Sequence, residues 1–145
     1  MKKLALLIAL TAGACIPVHE YEGEYDMTYD VVMKLPNKPG NVVAGLADVE
    51  VREGLEHDFL IDLGADFCRL NGRYIDAKTE RDWPYLDIRP QDCWFTAGGK
   101  TLAMQLGGTA TLDDDERFIV VLTGTFEDEE TRTRGGATVE LTESW

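Results

Sequence analysis

Few residues of this 145-residue chain are equipped for catalysis. The only serine, Ser144, is the second-last residue, which leaves a Ser–His–Asp triad without a credible nucleophile. The only histidines, His19 and His57, share no short spacing and have no cysteine near them, so the common zinc ligand patterns are absent. His57 lies between Glu56 and Asp58 and has the surroundings of a general base, although a surface position near a turn is the better account of it. The densest carboxylate run, Asp113-Asp114-Asp115-Glu116, suits a hard cation such as calcium. It lacks the spaced oxygen ligands and internal glycine of an EF-hand loop and fits a solvated hairpin tip. A second run, Glu127-Asp128-Glu129-Glu130, follows the next expected strand. Successive turns of a meander fall at opposite ends of a sheet, so the two runs should not share an ion. Glycoside hydrolysis needs two carboxyl groups facing one cleft, whereas the periodicity described below sends most acidic residues to solvent. Gly98-Gly99, Gly107-Gly108 and Gly135-Gly136 look like conformational glycines rather than a phosphate cradle. No catalytic residue, metal or cofactor is expected.

Cysteine carries the remaining chemistry. The chain opens with two lysines, Lys2 and Lys3, then a short apolar run from Leu4 to Leu10, then small residues up to Cys15. This is the architecture of a secretion signal, and the apolar run is far shorter than the ~20 residues that cross a bilayer as a helix. With Cys15 directly after Ala12-Gly13-Ala14, the segment resembles a bacterial lipoprotein signal, in which signal peptidase II cuts before a diacylated cysteine. The family usually has leucine where Ala12 stands. The resemblance implies a cleaved signal peptide over residues 1–14, a covalent lipid on Cys15 and a lipid-anchored tether over residues 15–20. Ile16, rather than aspartate, follows the cysteine, which in this family favours the outer membrane; the membrane face stays open.

Export also bears on the two other cysteines. Cys68 and Cys93 form an even pair in an exported chain and are expected to make a disulfide, closing a loop that contributes roughly 3 kcal/mol. The chain carries 14 basic and 27 acidic residues, a net charge of −13, and Lys2 and Lys3 fall in the leader. So acidic a surface repels phosphate backbones, which argues against nucleic acid and for a cationic partner or solubility alone.

The elements that must position any site are strands. From Tyr21, alternate residues Tyr21, Gly23, Tyr25, Met27, Tyr29, Val31, Met33 and Leu35 form one face. The other face carries Glu22, Glu24, Asp26, Thr28, Asp30, Val32 and Lys34. This period of two predicts a strand over 21–35 with one buried and one acidic face, with Gly23 suited to a bulge. Further strands are expected over 42–52, 57–63, 67–75 and 85–89, with 76–82 polar and Pro90-Gln91-Asp92 closing the last before Cys93-Trp94-Phe95. A meander follows over 102–112, 118–126 and from Ala137 onward. The fold class is all-β: an antiparallel meander of about eight strands in a small barrel or barrel-like sandwich, as a single domain over 21–145.

Such a barrel can hold a small apolar ligand, and Tyr25, Met27, Tyr29 and Met33 would line that cavity; plain core packing is the competing account. The chain has neither the Gly-x-Trp of a lipocalin first strand nor an evident C-terminal helix. A transmembrane barrel would suit the terminal Trp145, but Glu143 interrupts the apolar row it needs. Cys68-Arg69-Leu70, followed by Leu86-Asp87-Ile88-Arg89-Pro90-Gln91-Asp92-Cys93, resembles small uncharacterised bacterial lipoproteins. In these a Cys-x-Leu strand precedes an Ile-x-Pro-Gly-Gln-x-Cys segment and a Thr/Gly-rich meander. The likeness spans residues 67–126 without the glycine before Gln91, implies the Cys68–Cys93 bridge and carries no activity.

The sequence therefore points to a lipid-anchored cell-envelope protein, a non-enzymatic interaction or structural domain, with a ligand-binding barrel as the alternative. Its expected partners are the membrane, through the anchor, and a cationic or envelope protein. Residues 16–20 reach about 17 Å at most, which holds the domain close to the membrane. Cys15→Ala should move the protein from the membrane to the soluble fraction on cell fractionation; continued membrane retention would refute the anchor.

Overall fold

A computed structural model describes residues 21–54, 58–75, 84–97, 99–128 and 131–144. The leader, Cys15 and its tether, His57, the polar segment 76–82 and Trp145 lie outside the described residues. Eight strands follow one another: β1 (Gly23–Lys34), β2 (Asn41–Glu53), β3 (Asp58–Asp62), β4 (Arg69–Ile75), β5 (Tyr85–Ala97), β6 (Lys100–Leu112), β7 (Phe118–Glu127) and β8 (Arg134–Glu143). Each pairs antiparallel with the next, and β8 returns to β1, closing a barrel. Closure removes the two outermost edges that an open meander would expose.

Alternation decides what fills the barrel. Tyr25, Met27, Val31, Val49, Phe59, Leu70, Leu86, Phe95, Leu106, Val120 and Leu141 are among the side chains that point inward and are buried. No buried polar or charged residue occurs among the described residues. Tyr21 precedes β1 and lays its ring across one barrel end, edge-on to Phe59, Tyr74 and Phe118 at centroid distances of 6.0, 6.3 and 6.4 Å. Its hydroxyl donates to Pro84 O at 2.9 Å. The opposite end is filled by a second aromatic group, in which Phe67 and Phe95 stack at 4.6 Å and Tyr29 meets Phe67 edge-on at 5.0 Å.

Three local expectations are corrected. The β1–β2 ladder runs unbroken from Gly23, so that glycine starts the strand and makes no bulge in it. The bulge lies in β5, where residues expected to end a strand continue it as a single element through to Ala97. The register against β6 shifts between Ile88 and Gln91, placing Pro90 where no N–H is required. The final strand starts at Arg134 rather than Ala137, because Gly135 and Gly136 pair with Phe126 and Thr125 and the Phe126 ring covers Gly135.

The bulge has a second consequence at the β4–β5 seam. Among the described residues, backbone pairing there covers Arg73–Asp87, Tyr74–Leu86 and Ile75–Tyr85. Farther along, the Gln91 side chain takes the place of a peptide group: Asn71 N donates to its Oε1 at 2.9 Å, and its Nε2 donates to Asn71 O at 3.0 Å. The Cys68–Cys93 disulfide follows, with a Cα–Cα distance of 5.1 Å, and then Thr96 N donates to Asp66 O at 2.8 Å.

Cys68→Ser/Cys93→Ser should lower unfolding free energy by ~3 kcal/mol and Gln91→Ala by ~1 kcal/mol in urea denaturation. Because both act on one seam, the combined variant should depart from additivity in a double-mutant cycle.

Candidate functional site

The chemistry of this molecule sits on the outside of the barrel wall. On β1 and β2 the even-numbered residues face outward, and the register sets them directly opposite one another. Glu24 faces Glu50 and Asp26 faces Asp48. The first row continues onto β3, where Glu50 faces Asp62, and ends on β4, where Asp62 faces Arg69. On the other side of β1, Asp30 faces Glu140 of β8. Like charges directly opposite across strands are destabilising, so these pairs weaken the sheet that carries them.

Compensation is slight. Arg52 pairs with Glu50, and Arg69 Nε lies 3.3 Å from Asp62 Oδ2, with both arginine side chains about 70% exposed. Exposed pairs of this kind contribute at most ~1 kcal/mol. Glu24, Asp26 and Asp48 have no ion-pair partner among the described residues. The carboxylates stand side by side rather than converging: no group of three suited to a metal occurs among the described residues.

Glu24, Asp26, Asp48, Glu50 and Asp62 line an open groove of about 1110 Å³, together with Tyr25 and Val49 between them and with Gly64, Ala65, Phe67, Arg69 and Trp94. The loop from Leu63 to Cys68 forms its floor, held by Leu63 N to Cys68 O at 3.1 Å and Gly64 N to Asp62 Oδ1 at 3.0 Å. Gly64 has φ +100°, and a Cβ there would come 3.1 Å from Asp48 O, so glycine lets the loop lie against β2. Trp94 is 49% exposed, because its neighbours Cys93 and Phe95 take the inward positions on β5. Its indole face and the carboxylate rows together offer cation–π and ionic contacts to an ammonium or guanidinium group.

Of the four candidate cavity residues, Tyr25 is among those lining this groove, and Met27, Tyr29 and Met33 are not. Tyr25, Met27, Tyr29 and Met33 are all buried on the inner face of β1. Tyr25 stacks on Phe118 at 4.5 Å and donates its hydroxyl to Tyr21 O at 2.8 Å. Tyr29 crosses Gly45, where a Cβ would be 2.6 Å from the phenolic oxygen. Asp113–Glu116 and the described part of the second run, Glu127-Asp128, sit at opposite barrel ends. Asp113 is committed to its own turn, its Oδ1 accepting from Asp115 N at 2.9 Å and Arg117 N at 2.8 Å. Of the second run, Glu129 and Glu130 lie outside the described residues.

Sequence reasoning missed Trp94, Asp62, Arg69 and Gln91 as participants. The solvent-facing carboxylates were visible as a pattern, but their opposition was not, since it depends on strand register. Comparison with protein-family models, curated proteins and solved structures finds no match to this chain.

Burial raises the pKa of Tyr25 well above the ordinary tyrosine value of 10.0, helped by the Glu143 carboxylate and by Tyr21. Burial, then Asp66, raises that of Tyr29. The unfolded chain ionises these phenols near pH 10 and the folded chain at higher pH. Their contribution is therefore complete below pH 10 and declines as pH rises toward the folded values. Spectrophotometric titration should show two phenols resisting ionisation. Tyr25→Phe should reduce the alkaline loss of stability while costing ~1 kcal/mol at neutral pH, through the lost hydrogen bond to Tyr21.

Proposed function

We propose that this chain is a lipid-anchored cell-envelope protein that binds a cationic partner on the outer wall of its barrel. The observation that carries the reading is the opposition of Glu24 to Glu50 and Asp26 to Asp48, extended to Asp62 and set beside an exposed tryptophan. A basic group seated there would relieve repulsion that the free protein bears.

The anchor is carried by the sequence resemblance at Cys15, and the barrel geometry supports a consistent orientation. Gly23 opens β1 at the end that also carries the 113–117 turn, since Phe118 N donates to Glu143 Oε1 and Glu143 faces Met27. A tether ending at Tyr21 would bring that end to the membrane and turn the 35–40 connection outward. An apolar interior with charged outer rows supports a domain in water beside the membrane, because a spanning barrel needs an apolar outer band. The stacked and edge-on rings around Tyr25 and Tyr29 favour a filled interior over a ligand cavity, which leaves the ligand-binding alternative with less support.

Titration calorimetry with decalysine should show binding that weakens as salt rises. Asp26→Asn/Asp48→Asn should reduce affinity about tenfold while raising unfolding free energy by ~0.5 kcal/mol, since it removes a repulsive cross-strand pair. Unchanged affinity in that variant would overturn the site.

A further inference from the structure

The barrel wall is incomplete beside β2. This strand pairs with β1 from Asn41 to Val51, but with β3 only from Glu50 to Glu53. Gly54 N donates to Asp58 O at 2.6 Å, which fixes the even-numbered residues of β2 as those whose peptide groups turn toward β3. The 63–68 loop meets β2 at Asp48. Beyond it, the peptide groups of Val42, Ala44 and Leu46 have no hydrogen-bond partner among the described residues. The same three side chains point outward, Val42 being 62% and Leu46 77% exposed. Asn41–Ala47 contains no charge, proline or bulge, the usual protections of an exposed edge.

Charge is distributed unevenly along this edge. Lys34 and Lys38 lie at one end, where β1 turns into β2. Asp48 and Glu50 lie at the other, with Asp26 opposite Asp48. The order along the edge is therefore basic, apolar, acidic. Antiparallel pairing of two such edges about a dyad at Ala44 sets Val42 against Leu46 of the second copy and brings each lysine end beside the acidic end of the other chain. The two Asp48 residues would stand about 26 Å apart along the strands, well beyond a Debye length of ~8 Å.

We propose that this edge binds a second copy of the chain, as an isologous dimer with about six inter-chain hydrogen bonds over residues 42–46. The pairing joins β1 and β2 of both barrels into one sheet. Its backbone pairing uses the uncharged stretch of β2, whereas the acidic end that meets the second copy's lysines, Asp48 and Glu50, also lines the groove.

The test is sedimentation equilibrium of the full chain carrying Cys15→Ser, at physiological salt. A monomer–dimer equilibrium is expected, with association weakened at least about tenfold by Leu46→Lys and by Ala44→Pro. Proline is suited to position 44 because that N–H makes no bond to β1, and thermal melts of both variants check that the fold persists. Lys38→Glu should weaken the dimer, and adding Glu50→Lys, at the position this register sets against residue 38, should restore it. Ala44→Cys should form an inter-chain disulfide on mild oxidation, because paired Cα atoms at such a dyad lie ~5.5 Å apart. Asp30→Cys, outward on β1, should not. A monomer at every concentration up to about 1 mM overturns the proposal, as does a dimer unmoved by Leu46→Lys, or Ala44→Cys linking no faster than Asp30→Cys. A monomer that instead binds a decapeptide of alternating valine and lysine, and loses it on Ala44→Pro, assigns the edge to a foreign strand and equally overturns it.

Discussion

The β4–β5 seam is the junction on which the closed barrel depends. Among the described residues the other seams are backbone ladders, with a register shift between β5 and β6 and a stretch of β2 left unpaired beyond β3. At this seam the ladder lasts three residue pairs and then gives way to the Gln91 amide, the Cys68–Cys93 bridge and the Asp66–Thr96 hydrogen bond. These links differ in kind but share a direction: each continues the line of the seam from where the previous one stops. Together with the hydrogen bonds inside the Leu63–Cys68 loop, they place Phe67 against Phe95 in the aromatic group that fills this end of the barrel. Proline at position 90 makes the arrangement possible, since the bulge it occupies frees Gln91 to turn its side chain toward β4.

Polarity is divided sharply by that closure. Stability comes from inside, where aromatic and aliphatic side chains from all eight strands pack without a buried charge among the described residues. The outer wall can then hold arrangements that weaken it locally. Opposed carboxylates on β1, β2 and β8 and an apolar free edge on β2 are two such arrangements, and they lie side by side on the same strands. Each is a surface with unmet physical demands, one for positive charge and one for backbone partners. A domain held within a few residues of a membrane would present both to its own layer of the envelope.

Much of this was legible in the chain. The inner face of β1 could be written down from alternation alone, because the period of two is enforced by backbone geometry. Pairing of Cys68 with Cys93 followed from parity together with the expectation of export. The breaks at Pro90 and Gly135-Gly136 were misplaced for a common reason: proline and glycine signal a turn locally, yet a bulge or a covering aromatic ring lets a strand run through them. Gln91 gave no signal beyond its place in a local resemblance, since nothing in a glutamine's type shows that it will stand in for a peptide group.

The sequence by itself determined which side chains face the interior, that the fold is all-β, that the surface is acidic and that two cysteines would join. Those properties follow from periodicity, composition and parity, which need no knowledge of neighbours. Only the tertiary structure decided that Glu24 meets Glu50, that Asp26 meets Asp48, that Trp94 borders their groove and that, among the described residues, Val42, Ala44 and Leu46 have no strand on the side away from β1. Those facts depend on register and on where each ladder stops. Register is set by the sum of packing and turn geometry over the whole barrel, and no single segment encodes it.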